Sequence, residues 1–395
     1  MFVAYDNNGS MINVAENKWS KERLKKIRQQ VNFYCPVCSN QVELKIGSVI
    51  KAHFAHKKST SCLLKSEAES EYHMRGKLEL YEWLQTQSSI DDVQLEPYLS
   101  RIKQRPDILF KKGEKRNVIE YQCSVIEPSI LLKRSLKYKE QNIINFWIAG
   151  AKTLKRTGSY AFQLSSFQWL FARKTKLSEP PAIIAYSPDL KAFIILHTII
   201  PFSPRSIIGN HQTYPTHSIS FHELFTQYNH KARIMPAWIN KIRRFRMKTI
   251  GYKSKDAASF NHFLYQTRQL PLSYLPSLAF LPLNSTYLIE SPVYVWQGWI
   301  LIYIDLLPIK CAFTFRDIYH YFAEKVTDGT ISIRSLPFID VHYSFAIKDY
   351  LLNLCHFSFL KQTQKNVFIK ERSITWTTRV EELLISDNKV MNKFR

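Results

Sequence analysis

Short alternating stretches of apolar and polar residues open the chain. "MFVAYDNNGSMINV" places two apolar stretches around an Asn-Gly pair, which predicts two strands joined by a turn. In "SKERLKKIRQQ", Leu24 and Ile27 share one face of a predicted basic helix, and Ser20 stands where the N-cap is expected. Strands near "VELKI" and "AHFAH" follow. Residues 1–65 are therefore predicted to form a small ribbon-like module.

The pattern becomes strongly helical from residue 66 to about residue 85, where Glu69, His73 and Lys77 are spaced four apart along one face. Three strand candidates come next, in "VQLEPYL", "PDILF" and "NVIEYQCSV". Helical spacing resumes in "SILLKRSLKYKEQN", and "NFWIAG" is typical of one more buried strand. The order of helix, three strands, helix and strand predicts a compact α/β domain over residues 66–170.

The remaining residues, 171–395, give a less regular pattern. Two strand candidates, "AIIAYS" and "KAFIILHTII", precede a basic segment, "WINKIRRFRMK". Aromatic residues with helical spacing then dominate "ASFNHFLYQTRQL", "FTFRDIYHYFAEKV" and "IKDYLLNLCHFSFL". We expect a mixed, mainly α-helical, basic and aromatic C-terminal domain without catalytic residues.

The charge of the chain points to a polyanionic partner. Lys and Arg number 55 against 32 Asp and Glu, which gives a formal net charge of +23. Nucleic acid is the leading candidate, because an anionic membrane usually recruits one compact basic helix, whereas here the basic residues recur along the whole chain. The amino terminus lacks a signal-peptide pattern, and the longest apolar runs are short or contain Asp305 and proline. We expect a cytoplasmic protein without stable membrane insertion.

Three of the six cysteines fall within the first 62 residues, and this clustering indicates a metal site. Cys35 and Cys38 can meet one ion across a tight turn, while His53, His56 and Cys62 offer the remaining ligands. Four of these five residues suffice for structural zinc, and the preferred set is Cys35, Cys38, His56 and Cys62. The alternative is a reduced cysteine pair packed in a small core. The other cysteines are expected to pack in the core.

A second candidate site combines "RPDILF" with "IEYQC". If these strands pair as a hairpin, Asp107 and Glu120 can converge on a divalent ion, with the carbonyl of Tyr121 as a third ligand. Gln122 projects to the same face as Glu120, where a phosphate or the attacking water would lie. Mg²⁺ or Mn²⁺ is the expected ion. The alternative is that these two stretches are an ordinary turn and an ordinary strand without catalytic residues.

The two stretches resemble the PD-(D/E)xK nuclease superfamily, in which a helix with an acidic residue precedes a Pro-Asp strand and a Glu-x-Lys strand. The resemblance implies that Glu69 is the helix carboxylate and that Gln122 stands where lysine is usual. Glu96 is a rival ligand on the strand between. Glutamine brings no cation, so neutralisation of the transition state must come from the metal or from another residue.

The following helix offers that other residue. Arg134 and Tyr138 are spaced i and i+4 in "RSLKY" and can point back at the strands. We expect Arg134 to replace the missing lysine, with Lys137 as a poorer candidate. His73 and Lys77, one and two turns after Glu69, are expected to contact phosphates.

The order of these parts also resembles the competence protein CoiA family of naturally transformable Gram-positive bacteria. "CPVC", "HFAH", "SEAESEYHMRGKLELYEWL", "RPDILF", "EYQCS" and "KRSLKY" before "FWIAG" carry this resemblance, which covers roughly the first 170 residues. It implies a role in recombination of DNA taken up during competence and a nuclease-like, restriction-endonuclease-like central domain. Glutamine in the lysine position fits this family's own pattern.

In the basic segment, Lys241, Arg243, Arg244 and Arg246 are expected to bind DNA, with Phe245 stacking on bases. A solvated basic helix face is the competing interpretation.

Together these patterns predict a metal-dependent deoxyribonuclease. The family resemblance implies that it acts on branched or single-stranded recombination intermediates, with the recombinase or the DNA-uptake machinery as partner. A DNA-binding, recombinase-assisting factor that no longer cuts is the main alternative. A zinc-bearing scaffold at the membrane is a third.

Overall fold

The computed structural model describes residues 1–16, 18–47, 51–57, 62, 69–174, 179–226, 231–247 and 254–394. Packing divides the mixed α/β chain into two compact units. Unit 1 comprises Met1–Thr153, Ile184–Ile195 and Thr213–Phe225, and unit 2 comprises Leu154–Ile183, Leu196–Gln212 and Thr226–Arg395. The division at residues 65 and 170 stays a prediction; in the structure the chain passes between the units more than once.

The first nine strands and the first three helices belong to unit 1. The strands are β1 Val3–Tyr5, β2 Met11–Asn13, β3 Phe33–Tyr34, β4 Gln41–Lys45, β5 His53–His56, β6 Asp91–Leu95, β7 Ile108–Lys112, β8 Lys115–Gln122 and β9 Ile144–Gly150. The helices are α1 Lys21–Gln30, α2 Glu71–Gln85 and α3 Pro128–Glu140.

The later elements follow in chain order. The strands are β10 Lys155–Arg156, β11 Ala161–Gln163, β12 Ile183–Ser187, β13 Ala192–Pro201, β14 Ser206–Pro215, β15 Ala312–Thr314, β16 Leu360–Gln364 and β17 Val367–Lys370. The helices are α4 Ser166–Trp169, α5 Lys231–Met247, α6 Lys255–Arg268, α7 Val293–Leu306, α8 Phe315–Thr327, α9 Ser344–His356 and α10 Val380–Met391.

The amino-terminal strands form one antiparallel sheet in the order β2-β1-β3-β4-β5. The carboxylate of Asp6 accepts the backbone N–H groups of Asn8 and Ser10, and Gly9 has a φ of 75°, so the predicted turn closes between β1 and β2. Ser20 caps α1 by accepting the N–H of Arg23 at 3.2 Å. The predicted strands and basic helix of this region are confirmed.

The predicted order of helix, three strands, helix and strand is also confirmed, as α2, β6, β7, β8, α3 and β9. The strands β6, β7 and β8 pair antiparallel, whereas β8 pairs parallel with β9, and β9 parallel with β12. Gly113 has a φ of 55° in the polar turn between β7 and β8, a conformation that glycine adopts without strain. Residues 66–68 of the predicted helix lie outside the described residues.

Helix α2 packs tightly against β8 at Gly76. A Cβ atom placed on Gly76 would lie 2.3 Å from the ring of Tyr121, so only glycine permits this approach. The hydroxyl of Tyr121 donates to the carbonyl of Tyr186 at 3.1 Å, which fixes the ring. The close contact brings the polar face of α2 to the ends of β6 and β7.

Unit 2 contains strands in the order β10-β11-β14-β13 and a three-stranded sheet in the order β15-β17-β16. Strands β13 and β14 contribute residues to both units. Helix α7 holds much of the apolar run "WILIYIDLLPI" and buries residues around most of its circumference, as expected for a core helix. Within the described part of the chain, helices long and apolar enough to cross a membrane are absent.

Candidate active site and metal centres

The ends of three elements bring acidic residues together in unit 1. Glu69 precedes Ser70, which caps α2 by accepting the N–H of His73 at 3.2 Å. Glu96 follows β6 and Asp107 precedes β7, and the N–H of Glu96 donates to the carbonyl of Asp107 at 2.9 Å. We refer to Glu69, Glu96 and Asp107 as the carboxylate cluster.

Lys77 of α2 lies at the centre of this cluster. Its side chain is 0 % exposed, and its ammonium lies 2.8 and 2.9 Å from the two oxygens of Glu69. The ammonium also donates to Glu96 and lies 3.5 Å from Oδ1 of Asp107. The predicted helix was expected to include Glu69, but α2 begins at Glu71, so Glu69 reaches Lys77 from the segment before the N-cap, while His73 and Lys77 share one face of α2.

The charges of the cluster stabilise one another. Burial alone would raise the pKa of Glu69 and of Asp107, but the ammonium of Lys77 holds the pKa of both well below the ordinary range. Burial opposes the charged form of Lys77, yet Glu69 and Glu96 raise its pKa above the ordinary value. At neutral pH the three carboxylates are therefore ionised around a charged lysine.

Glu69, His73 and Asp107 form a group that could hold a metal ion, with one ligand atom of each within 4.8 Å of the others. Nε2 of His73 lies 3.6 Å from Oδ2 of Asp107 and is buried without a hydrogen bond to any described residue. Two carboxylate oxygens and an imidazole nitrogen suit Mn²⁺ and can accept Mg²⁺. The donor set fits a divalent ion, although Lys77 shares the same carboxylates.

Glu120 was expected to share that ion with Asp107, but the structure gives it other partners. Arg134 donates to Oε1 of Glu120 at 2.6 Å, and the hydroxyl of Tyr138 donates to the same oxygen. Among the described residues, Glu120 therefore lies outside the group of Glu69, His73 and Asp107. Both donors belong to α3, and they hold this carboxylate toward that helix.

Glu120 can exchange a proton near neutral pH. Burial raises its pKa to about 7, although Arg134 and the hydroxyl of Tyr138 favour the charged form, and the charge of Asp107 adds to the rise. A carboxyl group with such a pKa can hold or release a proton under ordinary conditions.

We expect Glu120→Gln to make stability less dependent on pH. The raised pKa means that the folded protein keeps a proton that the unfolded chain loses above the ordinary pKa of 4.5, so this group's contribution is lost as the pH rises to about 7. The introduced amide oxygen would still accept from Arg134 and Tyr138. At pH 8 the variant should exceed the parent in unfolding free energy by on the order of 3 kcal/mol, and at pH 4.5 the difference should be small.

Urea unfolding in EDTA at the two pH values measures this difference. Glu114→Gln, on the exposed turn after β7, serves as the control. A constant difference between Glu120→Gln and the parent from pH 4.5 to 8 would contradict a raised pKa.

The structure places the other expected site residues as follows. Gln122 donates its amide to Ser124, at 2.9 Å to the carbonyl and 3.2 Å to the hydroxyl. Lys137 donates to the carbonyl of Ile102 at 3.0 Å, away from Glu120. Arg134 and Tyr138 do point back at β8, through Glu120. Lys77 requires a correction, because an ammonium that is fully buried among carboxylates cannot contact phosphates at the surface.

Glu96 was expected to be an alternative metal ligand, but hydrogen bonds from other groups occupy both of its carboxylate oxygens. Oε2 accepts the backbone N–H groups of Phe2 and Val3, at 2.6 and 3.4 Å. Oε1 accepts from Lys77, so Glu96 links the amino-terminal strand to the lysine. The contact of Lys77 with three carboxylates was missed, although the four-residue spacing of Glu69, His73 and Lys77 was the signal that could have revealed it.

A second group of ligands lies in the amino-terminal sheet. One ligand atom from each of Cys35, Cys38, His56 and Cys62 lies within 4.8 Å of the others, and we call this group the Cys3His cluster. Sγ of Cys38 lies 3.4 Å from Nε2 of His56. Burial, Arg105 and the amino terminus lower the pKa of His56, which favours the neutral imidazole that binds metals.

His53 was the reserve ligand and is not part of the Cys3His cluster. His53 and His56 are three apart on β5, so their side chains project to opposite faces of the strand. Nδ1 of His53 instead lies 3.0 Å from the carbonyl of Lys51. The alternation along the strand thus selects four ligands from the five that the sequence offers.

In unit 2, the basic residues of α5 separate into two groups. Arg243 and Arg244 are exposed, and Lys241 lies with its ammonium 5.8 Å from the ring of Phe202. Arg246 is buried and donates to both carboxylate oxygens of Asp387 at 2.5 and 2.7 Å. The expectation that Arg246 binds DNA is therefore corrected, because its charge anchors α5 to α10.

Phe245 is buried too, with its ring 4.4 Å from that of Tyr294, so this aromatic residue belongs to the core. Lys248, Tyr252 and Lys253, which continue the same basic segment, lie outside the described residues.

The structure is a mixed α/β protein with a candidate metal site of carboxylates and histidine, and comparison with known families identifies its class as a protein with a nuclease-like domain. The family model "Competence protein CoiA, nuclease-like domain" matches residues 69–229. The models of the N-terminal and C-terminal domains of competence protein CoiA match residues 16–65 and 235–384. The chain belongs to the competence protein CoiA family.

A curated relative agrees with the family models. The chain is 34% identical over 356 residues to "Competence protein CoiA" of Bacillus subtilis (strain 168), which covers 90% of this chain and 94% of the relative. None of the solved structures matches the chain. These matches support a role in competence.

Proposed function

We propose that the chain is a metal-dependent deoxyribonuclease with a restriction-endonuclease-like central domain, acting on DNA taken up during competence. The observation that carries this proposal is the grouping of Glu69, His73 and Asp107 within ligand distance of one another, beside a charged lysine. Branched or single-stranded recombination intermediates are the proposed substrates, and the recombinase or the uptake machinery is the proposed partner.

Glu69, His73 and Asp107 would hold Mg²⁺ or Mn²⁺, which when bound polarises the phosphate and lowers the pKa of water. Lys77 does not replace the lysine that is usual at position 122, because its buried ammonium is held by carboxylates and cannot contact a phosphate. Its contacts with Glu69 and Asp107 keep both carboxylates ionised and in place. Glu120, with a pKa of about 7, can accept or return a proton, and Arg134 and Tyr138 fix its orientation.

The test of this function is a cleavage panel. Purified chain is incubated with labelled single-stranded, duplex and branched DNA, with Mg²⁺, with Mn²⁺ or with EDTA. We expect cleavage only with metal, and faster cleavage of the single-stranded or branched DNA. A chain that binds these DNAs yet releases no product with either metal would exclude a nuclease.

A DNA-binding, recombinase-assisting factor without cleavage is the second candidate, and the local charges favour it. Lys77, the amino group of Met1 and Arg105 all act on the carboxylate cluster, and the amino group lies 3.6 Å from Oε2 of Glu69. These cations can balance three carboxylates without a metal. Metal-independent, salt-sensitive binding with no product would be the signature of this function.

We further propose that the Cys3His cluster holds a structural zinc ion. Three thiolates and one imidazole form a closed tetrahedral set, which is typical of structural rather than catalytic zinc. The ion would join the turn after β3 to β5, in a small sheet whose own core is limited.

Replacement of one ligand should release this ion. We expect about one zinc per chain in the parent and close to none in Cys38→Ser, because three ligands do not close the site. Elemental analysis of purified protein gives the ratio. Cys311→Ser changes a cysteine outside the cluster and should retain the metal. A parent without zinc, or a Cys38→Ser variant with the parent's content, would contradict the assignment.

A further inference from the structure

Unit 2 contains a polar pocket whose lining includes none of the carboxylate cluster. Its volume is about 210 Å³, and it is lined by residues that include Arg156, Tyr160, Asn210, His211 and Arg233. Pockets for drug-sized ligands are larger, at about 300–1,000 Å³, and mostly apolar. A small polar or charged group therefore suits this pocket better than an apolar molecule does.

The lining is basic. It includes two arginines and two histidines, and no carboxylate belongs to the described lining. Neither Arg156 nor Arg233 forms an ion pair with an acidic residue in the described ranges. Both arginines are exposed at this pocket, so an anion bound there can gain from two positive charges.

Local contacts hold the donors in place. Arg156 donates through Nε to the carbonyl of Gly158 at 3.0 Å and through a terminal nitrogen to the carbonyl of Ser159 at 3.3 Å. A guanidinium has five N–H groups, so donors remain for a ligand. Arg233 lies in the first turn of α5, so it lines the pocket from a different element than Arg156 does.

His211 lines the same pocket. Its Nδ1 is buried and has no hydrogen-bond partner among the residues that the structure describes. A ligand in the pocket cannot touch this buried atom, so His211 forms part of the pocket wall and does not bind a ligand through Nδ1. Its ring contacts Phe162 edge-on, with centroids 5.5 Å apart, which fixes its orientation beside the cavity.

We propose that this pocket binds a phosphate group of a nucleic acid or nucleotide through Arg156 and Arg233. Guanidinium groups bind phosphate oxygens by paired, charge-assisted hydrogen bonds, and tyrosine and amide side chains provide further donors. The phosphate group could come from a strand end, from an internal phosphodiester or from free phosphate. Binding here needs neither metal nor cleavage, so it stands apart from the proposed nuclease activity.

The test uses the full chain in EDTA, with three probes: a single-stranded oligonucleotide with a 5′-phosphate, the same oligonucleotide with a 5′-hydroxyl, and inorganic phosphate as competitor. The pocket variant combines Arg156→Gln with Arg233→Gln. The control combines Arg316→Gln with Arg372→Gln, which removes the same charge from exposed positions outside the pocket. Affinities come from fluorescence anisotropy, and circular dichroism checks folding.

We expect the pocket variant to bind at least about 10-fold more weakly than the control, because two charge-assisted contacts are lost. A loss restricted to the 5′-phosphorylated probe identifies a strand end, and an equal loss for both probes identifies internal phosphodiesters. Competition by inorganic phosphate in the control but not in the pocket variant supports the same site and shows that free phosphate binds. Equal affinities of the pocket variant and the control for every probe would overturn the proposal.

Discussion

Lys77→Met is expected to destabilise the folded chain by about 3–5 kcal/mol. The substitution keeps most of the side-chain volume but removes the ammonium that contacts Glu69, Glu96 and Asp107. Removing the cation from buried carboxylates leaves uncompensated buried charges, and this is among the most destabilising changes in proteins. Urea unfolding followed by tryptophan fluorescence gives the difference in free energy, provided that both proteins show a single transition.

Two further variants separate the charge from other effects. Lys115→Met removes an exposed lysine from β8 and should change stability by less than about 0.5 kcal/mol. Adding Glu96→Gln to Lys77→Met removes one of the unpaired carboxylates and should restore part of the loss. If Lys77→Met and Lys115→Met had equal effects, the central role of Lys77 in the carboxylate cluster would be wrong.

Asp107→Asn is expected to reduce metal-dependent cleavage by at least about 100-fold. Asp107 contacts three other residues of the site. Its carboxylate lies 3.6 Å from Nε2 of His73 and 3.5 Å from the ammonium of Lys77, and it accepts the backbone N–H of Tyr121 at 2.9 Å. An amide keeps the shape but loses the charge that binds a divalent ion. Loss of residues that only support metal ligands already costs about 10–100-fold, and loss of a ligand should cost more.

The control for this variant is Asp92→Asn. Asp92 of β6 forms a half-exposed ion pair with Lys111 of β7. This control should cleave like the parent. DNA binding in EDTA should be similar for all three proteins, which separates lost chemistry from lost binding. Cleavage by Asp107→Asn at the parent's rate would show that the carboxylate cluster is not the catalytic centre.

The sequence by itself determined the order of local elements in unit 1. Period-two alternation and a polar turn with Gly113 specify the hairpin of β7 and β8, and Ser20 and Ser70 mark where helices begin. These signals act over a few residues, so they can be read without the fold. For the same reason the sequence could indicate five candidate ligands within the first 62 residues, four of which the structure brings together.

The small hairpin of β10 and β11 was not predicted because its strands have only 2 and 3 residues, too few for a clear alternation. The course of β14 was not predicted because β14 pairs with a strand distant in sequence. Ala161 of β11 pairs with Ile208 of β14, across a gap that local periodicity does not report. Arg246 shows the same limit: its position in a basic segment suggested DNA contact, whereas Asp387, far along the chain, decides that it is buried.

The tertiary structure alone decided what each charged residue of the candidate site touches. The spacing predicts Glu69, His73 and Lys77 on one helix face, but α2 begins after Glu69. The close packing of α2 at Gly76 carries Lys77 into the carboxylate cluster. Likewise, Glu120 was recognised as acidic and strand-borne, yet its pairing with Arg134 and Tyr138 depends on how α3 packs on β8. The sequence determines which groups are present; burial and long-range contacts set their partners and their pKa values, since electrostatic interactions depend on distance and solvent exposure.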